Sequence, residues 1–546
     1  MTATRLLIGN VRVSPDATEE EILKKASAKM KREGFLTSTL RFRLYKKSVD
    51  ARRRDDIRLV CTVLAESDAP ASAFSRERLT RADARIFAEE PLTPAFGSES
   101  IGGRPLVVGM GPAGLFAALL LARNGYAPIL IDRGAPVEER VRDVEYFRAT
   151  GRLNTESNVQ FGAGGAGTFS DGKLITRIND PRCGFVLRTL CEFGAPEEIT
   201  VQAKPHIGTD LLRRVVSSML EEITRLGGEV RYHCCLTDFS RLPDGSLRAI
   251  TTAGELSCGA IVLAPGHSAR DTYLKLLEKN FALEPKPISV GVRAEHLQSE
   301  IDESLYGNMA GHPALGHAEY SLSDTTGERG VYTFCMCPGG EVVAAASEEE
   351  RLVVNGMSNY ARDGKNANAA VAVSIGCADI EPQNGSAVLG AIAFQRELEH
   401  AAFLAGGSDF YAPVMTLGDF MAGKRGSEPS RIQPSYRDGK VRVADFDEVF
   451  PAFVLQTLRR GFASFGKKLR GYDAPDTVLT AAETRTSAPL RILRDPETYL
   501  AIGMDRIYPC GEGAGYAGGI TSAAVDGVRV AMSLMARFAR PDTTGI

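Results

Sequence analysis

The chain has 546 residues, too many for one hydrophobic core, and its 44% hydrophobic and 24% charged residues with 55 glycines exclude a disordered or fibrous protein. A formal net charge of -3 offers no overall attraction to nucleic acid or an anionic membrane, although residues 1–66 carry 15 basic and 9 acidic side chains, a +6 segment ahead of a remainder at -9. The sequence does not open on a basic stretch followed by an apolar one, the longest apolar run (112–122) stops at Arg123, and the 10 cysteines never stand at Cys-x-x-Cys spacing. We therefore expect no membrane span, no secretion, no metal centre and a reducing, cytoplasmic location.

Residues 1–70 read as a βαββ module of ferredoxin-like kind. A β-rich stretch over 6–13 precedes the capping box Thr18-Glu-Glu-Glu21, and Ile22, Leu23, Ala26 and Met30 then follow at helical spacing. Leu40, Phe42 and Leu44 alternate with Arg41 and Arg43, and 57–64 supplies a further strand, so the sheet has a basic outer face. Residues 71–103, rich in Ala, Ser, Pro and Arg, read as a linker.

From 104 onward a strand over 106–108, a glycine turn, a helix over 115–124 and a strand over 128–132 make a βαβ unit. A helix over 211–226 leads into a β-meander of three strands, 229–239, 246–252 and 256–263, ending at Ala264-Pro-Gly266. The expected fold is α/β: a first dinucleotide-binding part at 104–284, an inserted α+β substrate domain at 285–480, and the C-terminal part of the first domain at 481–546, with a last helix over 521–539.

The turn Gly109-Met-Gly111-Pro112-Ala113-Gly114 has Rossmann spacing. The first glycine permits the bend, the second lets backbone approach a pyrophosphate, and the third lets helix pack on strand. The helix N-terminus then faces the phosphates, and Pro112 suits its first turn. Asp132, ending the second strand, is placed for ribose hydroxyls, and Arg133 for covering adenine. Two look-alikes, Gly162-Ala-Gly164-Gly165-Ala166-Gly167 and Gly513-Ala-Gly515-Tyr-Ala-Gly518, lack the full strand–turn–helix–strand context and read as further walls of the same ligand site.

Four separated segments, together spanning nearly the whole chain, carry a resemblance: Val107 to Gly114, Asn158 to Lys173, Ile261 to Gly266, and Tyr508 to Gly519. They resemble the glutathione-reductase-like flavoproteins, and within them the bacterial uncharacterised FAD-dependent dehydrogenases. The resemblance implies FAD as cofactor, with Gly511 and Glu512 at the ribityl chain and the Gly519-Ile520-Thr521 turn aiming a helix N-terminus at the isoalloxazine. It places Gly164 to Gly167 close to the cofactor, Leu236 beside adenine, Ala264 and Gly266 in the motif that closes the meander, and Lys173 as a further candidate. A helix N-terminus there suits the negative charge of reduced flavin, and Thr521 or Ser522 is placed to cap it. Two positions depart from the family's pattern: Asp132 replaces a glutamate, and Pro265 replaces a threonine. No second strand–glycine–helix unit offers an NAD(P)H domain, so NAD(P)H stays open as electron donor.

For chemistry, Cys335-Met-Cys337-Pro-Gly-Gly340 stands out: in a strand both sulfurs face one side, which poises a thiol beside the flavin or forms a strained pair, or else simply buries two small apolar residues. Arg485, in Glu483-Thr-Arg485, is placed either to fix an anionic substrate or to pair with Glu483. His206, His267 and the vicinal Cys234-Cys235 read as structural. The leading function is an FAD-dependent oxidoreductase moving a hydride between flavin and an unidentified small molecule. The alternatives are a flavoprotein modifying RNA through Arg41, Arg43, Lys46, Lys47, Arg52, Arg53, Arg54 and Arg58, and a scaffold with structural FAD. Few aromatic residues interleave the basic cluster, so a solvated or partner-docking face is favoured over nucleic acid.

Overall fold

Residue alternation builds the N-terminal layer. In this computed structural model, which describes residues 4–88 and 91–541, β1 (Thr4–Val13), β2 (Leu40–Asp50) and β3 (Arg58–Ser67) bury Leu6, Ile8, Leu40, Cys61 and Val63 with Ile22, Ala26 and Met30 of α1 (Glu19–Arg32). The capping box at α1 forms: Glu21 N donates to Thr18 Oγ1 at 3.3 Å and Thr18 N to Glu21 Oε2 at 2.8 Å. The segment expected to be a linker instead contributes α2 (Arg76–Arg81) and β4 (Ala84–Ile86), and β4 pairs antiparallel with β1, giving the order β2-β3-β1-β4. A three-residue strand is too short to show a periodicity.

The free edge of this sheet is docked. Lys47 N on β2 donates to Val201 O and Ala203 N donates to Lys47 O, both at 2.8 Å. Of the basic cluster, Arg41, Arg52 and Arg58 pair with Asp68, Asp50 and Asp56.

The second layer is assembled from both ends of the chain. It takes β5 (Pro105–Val108), α3 (Pro112–Arg123), β6 (Ile129–Ile131), α4 (Val137–Thr150), α5 (Arg182–Glu192), α6 (Thr209–Arg225) and β7 (Glu229–Arg231). Then follow β8 (Leu236–Arg241), β9 (Leu247–Thr251), β10 (Gly254–Cys258), β11 (Ala260–Leu263) and α7 (Arg270–Glu278).

The intervening segment holds β12 (Leu283–Pro285), β13 (Ile288–Leu297), α8 (Gln298–Tyr306), β14 (Ser323–Asp324), β15 (Val331–Cys337), β16 (Glu341–Ala344), β17 (Val354–Met357) and β18 (Asn366–Ile375). It continues through α9 (Ala387–Ala405), β19 (Ala412–Thr416), α10 (Leu417–Ala422), β20 (Val441–Val443), α11 (Ala452–Lys468), β21 (Val478–Glu483) and β22 (Leu490–Ile492). The chain returns with β23 (Ile507–Pro509) and α12 (Ile520–Arg537).

The five-stranded sheet β23-β11-β5-β6-β7 is parallel throughout. Its central strands β5, β6 and β11 are apolar on both faces, as a sheet covered on both sides requires. Leu106, Val108, Ile129, Ile131 and Leu263 pack on Leu236, Phe239 and Leu247 of the meander, while Val107, Leu130 and Val262 pack on α3, α6 and α12. The meander is narrower than expected: only β8, β9 and β10 form the antiparallel sheet, and the outer parts of the predicted strands, β7 and β11, join the parallel one. An apolar run gives no sign of changing sheets; the break lies at Gly259, where a β-carbon would stand 2.3 Å from Ile101 O.

The third layer is the sheet β14-β15-β18-β13-β21-β19-β20, antiparallel except between β19 and β20. Among the described residues, no helix is long and apolar enough to cross a membrane.

Candidate functional site

The three glycines of the first turn do three different things. Gly109, at φ +101, would place a β-carbon 2.1 Å from Ala264 O, and one on Gly114 would lie 1.8 Å from Gly109 O. At Gly111 the nearest atom is Gly165 Cα at 3.9 Å, so its missing side chain leaves open space. Gly111 is also the N-cap of α3 and offers no side chain to the helix amides, which stay free for an anion.

The first look-alike turn closes on the same space, as does Gly518 of the second, while Gly515 packs on Arg491 of β22. Gly164 N donates to Met110 O at 2.9 Å, and a β-carbon on Gly165 would lie 2.8 Å from Gly111 Cα. Gly167 faces Ile520 at 3.1 Å, and Gly511 faces Ala113 Cβ at 2.6 Å. Behind this wall Asp526 accepts from Gly511 N at 2.7 Å and from Arg494 at 2.6 and 2.9 Å, pinning the end of β23 to α12.

One cavity results. Gly109, Gly111, Pro112, Ala113, Asp132, Arg133, Gly165, Ala166, Gly167, Lys173, Leu236, Ala264, Gly266, Cys335, Arg485, Glu512, Gly519 and Ile520 line it. Gly114, Gly164, Gly511, Thr521 and Cys337 stand outside its lining. The expected cap of α12 does not form: the N-cap is Gly519, and Thr521 Oγ1 donates instead to Leu174 O at 2.7 Å, while Ser522 Oγ donates back to Gly519 O at 3.1 Å. A second helix N-terminus thus reaches the cavity without a side-chain cap.

At one end, Asp132 accepts from Met110 N at 2.8 Å and Gly134 N at 2.9 Å, which fixes its carboxylate and leaves each oxygen one lone pair. Arg133 is held by Asp271 at 2.6 Å and lies 4.5 Å over Phe161, so it borders this end as part of an ion pair. Leu236, Cys234 and Cys235 line the wall beside it.

The other end is walled by the inserted sheet, and two expectations change there. The pairing of β15 with β18 slips between Phe334 and Cys337, and Cys335 takes φ +45. Strand alternation is lost, so the two sulfurs do not simply share a face, and a left-handed non-glycine residue costs on the order of 1–3 kcal/mol. Arg485 does not pair with Glu483. Its Nε and Nη2 donate to Glu399 at 2.9 Å each and Nη1 to Ser347 Oγ at 2.5 Å, while Glu483 takes Arg293 Nε at 2.7 Å. Glu399 is shared with Arg270, at 2.7 and 2.8 Å. These two guanidinium groups, against the burial of Glu399, hold its carboxyl well below the usual range.

Electrostatics separate the cavity's titratable groups. Burial raises Glu512 to about 7, against the pull of Lys286 and with the Cys335 charge adding to the rise, and its carboxyl accepts no hydrogen bond among the described residues. A hydrogen bond from the Cys337 thiol, then Arg293 and Lys173, bring the Cys335 thiol down despite burial, and the Cys337 thiol is pushed up. Burial, with Arg485 and Arg270, lowers His267 to about 3. Burial opposes the charge on Lys173, but Asp171 at 2.8 Å and Glu319 at 3.3 Å more than reverse that. His206 does not line the cavity; it stacks on Tyr360 and meets Tyr360 O at 3.1 Å.

Gln160, Asp171, His267, Asn355 and Glu483 also line the cavity. Gln160 is 6% exposed and donates to Ala345 O at 3.1 Å, yet its Oε1 has no partner. Arg293, fully buried behind the wall, reaches Glu483, Asn368, Asn355 and Cys335 O. A signal for it existed: Arg293 interrupts a largely apolar run over 288–294, with Glu295 just beyond it, and a charge there requires a buried partner.

The chain is 45% identical over 544 residues to a protein of Clostridium beijerinckii (strain ATCC 51743 / NCIMB 8052) named "Uncharacterized protein", covering 98% of this chain and 99% of that one. The family model "FAD-dependent protein, C-terminal domain-like" matches residues 287–486, and "Domain of unknown function (DUF8436)" matches residues 6–66. Among solved structures, CtdE in complex with FAD is similar at 11% identity over 80% of this chain and 86% of that one, with a TM-score of 0.31. FqzB is similar at 12% over 80% and 77%, with a TM-score of 0.33.

Proposed function

This chain belongs to the family of FAD-dependent proteins, and on that premise we propose that it is an oxidoreductase whose flavin exchanges a hydride with a small molecule held between the parallel sheet and the inserted sheet. The observation that carries the reading is the pair of uncapped helix N-termini, at Gly111 and Gly519, opening into one cavity that Cys335, Lys173 and Glu512 also line.

The residues fit FAD. The open face of Gly111 and the amides of α3 suit a pyrophosphate, Asp132 keeps lone pairs for a ribose, and the unpartnered Glu512 carboxyl suits the ribityl hydroxyls. When bound, FAD supplies the hydride chemistry. The amides of α12 stabilise negative charge at their end of the cavity. His267 stays neutral through the physiological range, and with its Nδ1 2.9 Å from Ser268 Oγ it serves as a hydrogen-bonding group and not a proton source. NAD(P)H is a candidate electron donor, reaching the flavin from the same mouth.

The test is an anaerobic screen on the purified yellow protein, following flavin bleaching with NADH, NADPH, thiols and other small reductants. Bleaching by at least one of them, and recolouring by an acceptor, is the expected result. A flavin bleached only by dithionite and inert to every acceptor supports the scaffold reading instead.

A further inference from the structure

Two cysteines stand at the point where β15 leaves its ladder. Cys335 lines the cavity, while Cys337 is fully buried behind it, with Sγ 3.3 Å from Cys335 O. The left-handed backbone at Cys335 is held from below by Arg293, whose Nη1 donates to Cys335 O at 2.9 Å and to Asn368 Oδ1 at 2.9 Å. The turn after the pair is shaped around it: a β-carbon on Gly340 would lie 3.0 Å from Cys337 Cβ, and one on Gly339 would lie 1.6 Å from Arg362 O. A pair of packing residues requires no such arrangement, since regular strand alternation would bury both.

The surroundings favour a thiolate at Cys335. Arg293 and Lys173 are its cations, with Asp171 the opposing charge, and the Cys337 thiol lies against its backbone carbonyl. Across the cavity Glu512 senses the Cys335 charge. The mouth is bordered by two large apolar side chains, Phe334 at 39% and Ile175 at 46% exposure, which the fold leaves uncovered.

We infer that Cys335 and Cys337 form a dithiol/disulfide couple that exchanges two electrons with the flavin, and that the substrate of this cavity is a small disulfide or thiol with an apolar body. The inference rests on the oxidoreductase reading above and names its substrate class. In the step from the flavin, the Cys335–Cys337 S–S bond takes two electrons and one proton from the reduced flavin anion and breaks to the Cys335 thiolate and the Cys337 thiol, so charge and atoms balance; NAD(P)H, the candidate donor named above, re-reduces the flavin. In the step toward substrate, Cys335 attacks one sulfur of a substrate disulfide and expels a thiolate. That thiolate takes the Cys337 proton, and Cys337 then closes on Cys335, releasing the second substrate thiolate.

The experiment is an anaerobic dithionite titration of the purified, air-oxidised flavoprotein, with the peptide 330–351 examined by mass spectrometry before and after. The expected result is uptake of about four electrons per flavin, two on the flavin and two on the disulfide. The oxidised peptide should be lighter by two hydrogen atoms. Cys335→Ser and Cys337→Ser should each take up about two electrons per flavin while retaining bound flavin, which shows that they fold. Wild-type protein that takes up only two electrons and never yields the lighter peptide overturns the inference, even with flavin fully reducible. A protein without bound flavin would instead defeat the FAD reading, and the peptide mass would still decide whether the disulfide forms.

Discussion

Arg485 and Arg270 grip one buried carboxylate, that of Glu399, from two sides, each through two hydrogen bonds of 2.7 to 2.9 Å. The arrangement joins three parts of the chain: α7, α9 and the segment after β21. Glu399→Ala leaves two guanidinium groups buried without their shared anion, and is expected to destabilise by about 3–5 kcal/mol. Because the folded-state pKa of Glu399 is depressed, its contribution is present above the ordinary glutamate range and is lost as pH falls through the folded value. Urea unfolding from pH 7 down into the acid range should show wild type losing stability and Glu399→Gln losing less. Equal slopes for the two would refute this assignment.

The glycines at 111 and 114 predict opposite phenotypes. Gly111→Ala meets nothing closer than 3.9 Å, so the apoprotein should unfold at an unchanged temperature while FAD affinity falls tenfold or more, about 1.4 kcal/mol. Gly114→Ala would put a β-carbon 1.8 Å from Gly109 O and should lower apoprotein stability outright. Thermal unfolding of both apoproteins, alongside flavin titration, checks the pair. A destabilised Gly111→Ala with normal FAD affinity would reverse the roles given to these positions.

Glu512 should make apoprotein stability fall with rising pH. Its folded pKa, about 7, lies above the ordinary 4.5, so the stabilisation is present below 4.5 and is lost as pH rises through 7. Glu512→Gln removes this dependence and should gain roughly 2–3 kcal/mol relative to wild type between pH 5 and 8. The measurement is the urea midpoint of each apoprotein across that range, and parallel curves would show that the carboxyl titrates normally.

The basic N-terminal face should bind RNA weakly. Arg41, Arg52 and Arg58 already have carboxylate partners, and the β2 edge at Lys47 is docked on residues 201–203. Filter binding of total RNA across a salt series should give a shallow slope, because few phosphates would be neutralised. A slope corresponding to six or more phosphate contacts would revive the RNA-modifying reading.

What the sequence by itself determined is the part of the molecule built from short-range rules. The capping box at Thr18, the βαβ unit around Gly109 and the placing of Gly165 and Gly518 from the look-alike turns on one cavity were legible, because turn glycines, caps and strand periods act within a few residues. The tertiary structure decided where distant groups met. Arg485 had an acidic neighbour two residues away and took Glu399, 86 residues away; Thr521, placed to cap its own helix, bonded to Leu174, 347 residues away. The linker became α2 and β4 for the same reason, since β4 exists only through its pairing with β1. A charged or hydrogen-bonding side chain reports that it needs a partner once buried, but which partner it finds depends on how the layers pack, and local spacing carries no record of that.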